Sequence, residues 1–113
     1  MLIIDDIISN AVVSDMAKVL YGDMIKAVAD VKNGYLAIDA ELHSDLEGLL
    51  LKKGSLQEDL WGFNIYPELF GDEDYVEFDS LINIKPRQNN MSRDVEDATI
   101  RQRIMDIVYS HIK

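Results

Sequence analysis

The sequence contains no cysteine, only two prolines, one tryptophan and two histidines. Lack of cysteine excludes disulfides, thiolate nucleophiles and sulfur-ligated zinc, and leaves the redox compartment unread. Long hydrophobic runs are missing as well, and none approaches the roughly 20 residues needed to cross a bilayer. The opening MLIIDDIISNAVV is apolar, but Asp5 and Asp6 break it and it has no basic leader. That argues against a secretion signal and for a cytoplasmic protein with no membrane partner.

Basic residues are the remaining shortage: 11 Lys and Arg stand against 21 Asp and Glu, a net charge of −10. The imbalance is local. Residues 1–80 hold five lysines and seventeen acids, whereas residues 81–113 hold six basic residues and four acids. An acidic body repels phosphate backbones, so nucleic acid is disfavoured as a partner. The basic tail reads as a helix with Arg101 and Arg103 on its wet face.

Hydrophobic residues at 48% and charged residues at 28% over 113 positions fit one globular domain, residues 1–113. Leu2–Ile4 is expected as a short edge strand, with one continuous helix from Ile3 as the rival. Ser9 or Asn10 then caps a helix with Val12, Val13, Met16, Val19 and Leu20 at helical spacing, ended by Gly22. Asn33-Gly34 predicts a two-residue type I′ hairpin turn, which sets Ala27 opposite Ala40 and Lys26 opposite Glu41. Ser44 and Glu47 read as a capping box for a helix that Lys52-Lys53-Gly54 closes. Leu60–Tyr66 and Val76–Lys85 alternate as strands stopped by Pro67 and Pro86. Asp97 caps a last helix striped by Ile100, Ile104, Ile107, Val108 and Ile112.

The order β-α-β-β-α-β-β-α predicts an α+β two-layer sandwich, a mainly antiparallel sheet of four or five strands with three helices on one face. The other face, carrying Lys26, Asp30, Asp39, Glu41, Asn64 and Glu77, is then solvated or a binding surface. A homodimer, if one forms, is expected through an edge strand or the helical layer, because acidic faces repel.

Residues Glu41–Pro67 carry E-L-H-S-D and then G-S-x-Q-E-D-L-W-G-x-N-x-Y-P. S-L-I-N-I-K-P follows at 80–86 and N-x-S-R-D-V-E-D at 90–97. From about Asp23 onward this resembles a family of small prokaryotic proteins known only as a domain of unknown function. Asn89-Asn90 stands where the family pattern has Gly-Asn, and Ala98 where a helix-starting Pro is usual. The resemblance points to a site in this region and implies no activity.

Glu41, His43 and Asp45 sit where a strand passes into a helix, with Asp59 on the following loop. Oxygen ligands with one imidazole suit Mg²⁺ or Mn²⁺ better than zinc, and such a set would serve a small metal-dependent hydrolase or transferase. Alternatively His43 is a general base oriented by a carboxylate. Each residue also has a plain structural role: Asp45 on the helix dipole, Glu41 paired with Lys26, His43 at the core boundary. Asp72-Glu73-Asp74 lacks the glycine and terminal glutamate of a calcium loop and reads as a solvated turn. Arg87, Asn90, Ser92 and Arg93 suggest an anion-binding loop, opposed by Asp94, Glu96 and Asp97. No catalytic motif is present, so the sequence favours a binding or interaction module for an unidentified small molecule or protein. Its polar pocket is floored by Gly62 and lined by Glu41, His43, Asp45, Asp59, Asn64 and Arg87.

Overall fold

The computed structural model describes residues 1–113 and is built around one antiparallel sheet. Its strands are β1 (Leu2–Ile3), β2 (Ile25–Asp30), β3 (Tyr35–Ile38), β4 (Leu60–Ile65) and β5 (Val76–Glu77), in the order β1-β3-β2-β4-β5. Three helices, α1 (Asn10–Leu20), α2 (His43–Lys53) and α3 (Ala98–His111), complete an α+β fold of the expected class. None of them is long and apolar enough to cross a membrane.

Local chemistry sets the ends of the helices. Ser9 caps α1 by accepting from the Ala11 amide, and Gly22, at φ 90°, closes it with its amide on the Ala17 carbonyl. Asp97 caps α3 through the Thr99 and Ile100 amides. Ala98 then takes the first helical position, where proline is also well suited. The ring nitrogens of His111 lie 2.8 and 3.1 Å from the Asp6 and Gly34 carbonyls, tying the end of α3 to the first strand's exit and to the hairpin.

Three expectations are corrected. The β2–β3 register pairs Ala27 with Ile38 and Asp30 with Tyr35, two residues away from the predicted pairing of Ala27 with Ala40. Asn33 does not take the positive φ that a type I′ turn requires. The buried Asp30 carboxylate organises a longer loop instead, accepting from the Lys32 and Asn33 amides, the Asn33 side chain and, at 2.6 Å, the Ser55 hydroxyl. Because the slip is even, each side chain keeps its face. Lys26 and Glu41 are not cross-strand neighbours, and the Lys26 carbonyl accepts from the Asp39 amide.

The second correction concerns the layers. Val13, Ala17, Ile104, Ile107 and Val108, from α1 and α3, pack with Ala27, Ala29, Leu36, Trp61 and Phe63. Leu46 and Leu50 of α2 pack instead with Val28, Ala37 and Leu60, which point the other way from those strands. The three helices therefore do not share one face. Asp39, at φ 74°, turns the chain after β3 so that α2 crosses the face expected to be open. Val28 and Ala37, fully buried, are the apolar residues that draw it there.

Third, the long strand expected over Val76–Lys85 ends at Glu77. Beyond it the chain turns through two short 3₁₀ segments, Leu81–Asn83 and Pro86–Gln88. The Asn83 carboxamide takes the strand's place, accepting from the Gly62 amide and donating to the Gly62 carbonyl, both at 2.8 Å. A side chain thus covers the outer edge of β4 where a strand would otherwise lie.

Candidate functional site

α2 begins at His43 with Leu42 as its N-cap, and no side chain caps its first turn. The expected Ser44–Glu47 capping box does not form. The helix starts two residues too early for that box, and His43 is folded inward and only 8% exposed. Its Nε2 lies 2.8 Å from the Phe63 carbonyl oxygen. A carbonyl only accepts, so Nε2 carries the proton and donates, which leaves Nδ1 as an acceptor while the ring is neutral. Burial pushes the imidazole below its ordinary pKa, aided by the Lys26 charge and opposed by the Phe63 carbonyl, Asn64 and Asp79.

A cleft of about 240 Å³ opens beside this ring. Lys26 of β2, His43 and Ser44 of α2, Ser80 and Arg93 are its polar walls. Arg93 Nε donates to Asp79 at 2.6 Å, an exposed pair that orients the guanidinium more than it stabilises the fold. Lys26 makes no ion pair, and its Nζ lies 5.4 Å from the Tyr21 ring centre. Asn64, opposite Lys26 in the β2–β4 register, gives its amide to Glu77, while its buried Oδ1 has no partner.

The sequence-predicted residues divide among different surfaces. His43 and Asn64 come together, His43 lining this cleft and Asn64 buried beside the ring. Asp59 and Arg87 lie near a second, larger cleft of about 510 Å³, where Arg87 and Lys85 form part of the wall. Ile82 borders both clefts, because Ser80 and Ile82 fill the hollow expected over Gly62. A Cβ on Gly62 would sit only 2.6 Å from Ser80 Oγ. Glu41 and Asp45 are exposed and line neither cleft.

This separation bears on the metal reading. No three His, Asp or Glu side chains are grouped so as to hold a metal ion. Glu41, His43, Asp45 and Asp59 thus do not form the oxygen-rich set that Mg²⁺ or Mn²⁺ takes. Nor is His43 oriented by a carboxylate, since its partner is a backbone carbonyl. In the 87–93 loop, Glu96 accepts from the Met91 and Ser92 amides and the Ser92 hydroxyl, so the chain's own carboxylate fills the expected anion loop. The second cleft spends two of its polar groups internally: Lys85 donates to the Gln57 carbonyl and Gln88 to the Glu58 carbonyl.

Sequence reasoning did not group Lys26, Ser44 and Ser80 with His43 at one cleft. It placed Lys26 in a hairpin ion pair and Ser44 in a cap, and it read Ser80 as an ordinary strand position. Arg93 was read as part of the 87–93 loop, and it also lines this cleft.

Fold and cleft together define a small α+β protein with an antiparallel sheet and one polar cleft at a helix start. The chain belongs to the family described as protein of unknown function DUF5674, whose model matches residues 2–111. No curated protein and no solved structure matches it.

Proposed function

We propose that this protein is a binding module whose site is the cleft at the start of α2, and that it takes a small anion. The observation that carries this reading is convergence. Lys26, His43, Ser44, Ser80 and Arg93 come from four separate stretches of chain and line one hollow, two of them cationic in a protein of net charge −10. The uncapped first turn of α2 adds a positive dipole end on the same side. Few convergent polar groups at a cleft are what fix a small ligand's orientation.

The rival, a small metal-dependent hydrolase or transferase, lacks an assembled ligand set. A thermal-shift screen against small anions, nucleotides and divalent metals separates the two. Stabilisation by a small anion that disappears in Lys26→Ala and Arg93→Ala supports the module. Stabilisation by Mn²⁺ or Mg²⁺ that disappears in His43→Ala, with no anion response, supports the rival.

A further inference from the structure

Donors alone do not describe the cleft. Lys26, Arg93 and Ser44 offer N–H and O–H groups, whereas His43 Nδ1 is an acceptor with no hydrogen-bond partner; Asn64 Oδ1, also unpartnered, is buried beside the ring and does not line the cleft. Asn64 is 4% exposed, so its free oxygen is a buried acceptor of the kind proteins seldom leave unmatched. It flanks the imidazole, and Lys26 stands across from it in the sheet. An anion with no hydrogen of its own would meet the donors and leave His43 Nδ1 unused.

Charge narrows the choice further. Asp79 pairs with Arg93, and Lys26 has no counter-ion, so the walls hold one unbalanced positive charge. One negative charge on the ligand balances that, and two would not. Asp79 takes Nε of Arg93, which leaves the terminal guanidinium nitrogens for a planar two-oxygen acceptor.

We infer that the ligand is a small carboxylate bearing a hydroxyl on the neighbouring carbon, its carboxylate held by Lys26 and Arg93 and its hydroxyl donating to His43 Nδ1. This rests on the proposed cleft and adds the chemical class of what enters it. Neutral His43 is the form that accepts, and the Phe63 carbonyl, by holding Nε2–H, leaves Nδ1 as the acceptor of a ring that lines the cleft.

Glycolate and acetate are a matched pair of probes, differing only in the hydroxyl. Titration of the protein at pH 7.5, followed by amide NMR shifts, is expected to show glycolate binding about fivefold to tenfold more tightly than acetate. In His43→Leu no side-chain acceptor remains at this position, and the two affinities become equal. Lys26→Ala weakens both probes together. Glycolate, and not acetate, shifts the ¹⁵N resonance of His43 Nδ1 in the unsubstituted protein, a readout that does not depend on the variant folding. Equal affinities with no Nδ1 shift overturn the hydroxyl inference while leaving the anion cleft standing, provided Lys26→Ala weakens both. No binding of either probe overturns the hydroxyl inference and the cleft reading together.

Discussion

Asn83 and Gly62 are joined by two hydrogen bonds of 2.8 Å, side chain to backbone, in the geometry of a strand that is not there. Asn83 also donates to the Arg93 carbonyl at 2.9 Å, so one amide holds both the edge of β4 and the loop that carries a cleft residue. Asn83→Ala leaves the Gly62 amide and carbonyl unpaired and removes one of the two donors to the Arg93 carbonyl, which keeps the Ser80 amide. We expect a loss of about 2–4 kcal/mol in urea unfolding, with weakened anion binding as Arg93 loosens. A loss under ~0.5 kcal/mol would mean the edge is held by something else.

Gly62 gives a second test of the same contact. Gly62→Ala puts a methyl group 2.6 Å from Ser80 Oγ and 2.7 Å from Ser80 Cβ, an overlap expected to cost about 1–3 kcal/mol. Because the clash is with Ser80, adding Ser80→Gly should restore part of the loss in a double-mutant cycle. Simple additivity of the two changes would show that the Ser80 segment is not seated on Gly62.

Acid titration separates Asp30 from His43. Burial alone would raise the Asp30 pKa, but the hydrogen bonds from Ser55, Asn33 and Lys32 outweigh it and hold the carboxyl below 3.8. Its stabilisation is therefore present above that value and lost as pH falls through the folded-state pKa. His43 is held below 6.5, chiefly by burial, so its contribution is full above 6.5 and declines as pH drops from there. Unfolding free energy measured from pH 8 to 2 should show two descents. His43→Gln removes the one beginning near 6.5, and Asp30→Asn removes the one below 3.8.

Asp59 behaves in the opposite way. Burial, with Asp30 and Glu58 close by, raises its pKa, and its Oδ2 is buried without a partner. Its ionised form disfavours folding once pH rises above 3.8. Asp59→Asn is expected to leave the melting temperature unchanged or higher at pH 7. It should also leave binding at the α2 cleft intact. A clear fall in melting temperature would show that the carboxylate has a stabilising partner.

What the sequence made legible was periodicity and capping. The helix starts at Ser9 and Asp97, the glycine stops at Gly22 and Gly54, and the alternation of Leu60–Ile65 all rest on neighbours within a few residues. The failures came where a distant group decided the outcome. Asn33-Gly34 is a strong local turn signal, yet Asp30, braced by Ser55 from beyond α2, reshaped the loop. Ser44 is a good cap in isolation, but Val28 and Ala37 pulled α2 across the sheet and started the helix at His43. Val76–Lys85 alternates like a strand, and one carboxamide at Asn83 replaced most of it. The site followed the same pattern. His43 and Asn64 were visible as polar residues in an apolar setting, whereas Lys26 and Ser80 join them only through the β2–β4 register and the packing over Gly62.

The most direct measurement is a backbone amide NMR titration of the unsubstituted protein with glycolate. The predicted shifts fall on Lys26, His43, Ser44, Asn64, Ser80 and Arg93, saturate together, and are absent from Gln57, Glu58, Arg87 and Gln88 around the larger cleft. Shifts confined to that larger cleft, or none at any residue up to high millimolar glycolate, would contradict the assignment of the site to the start of α2.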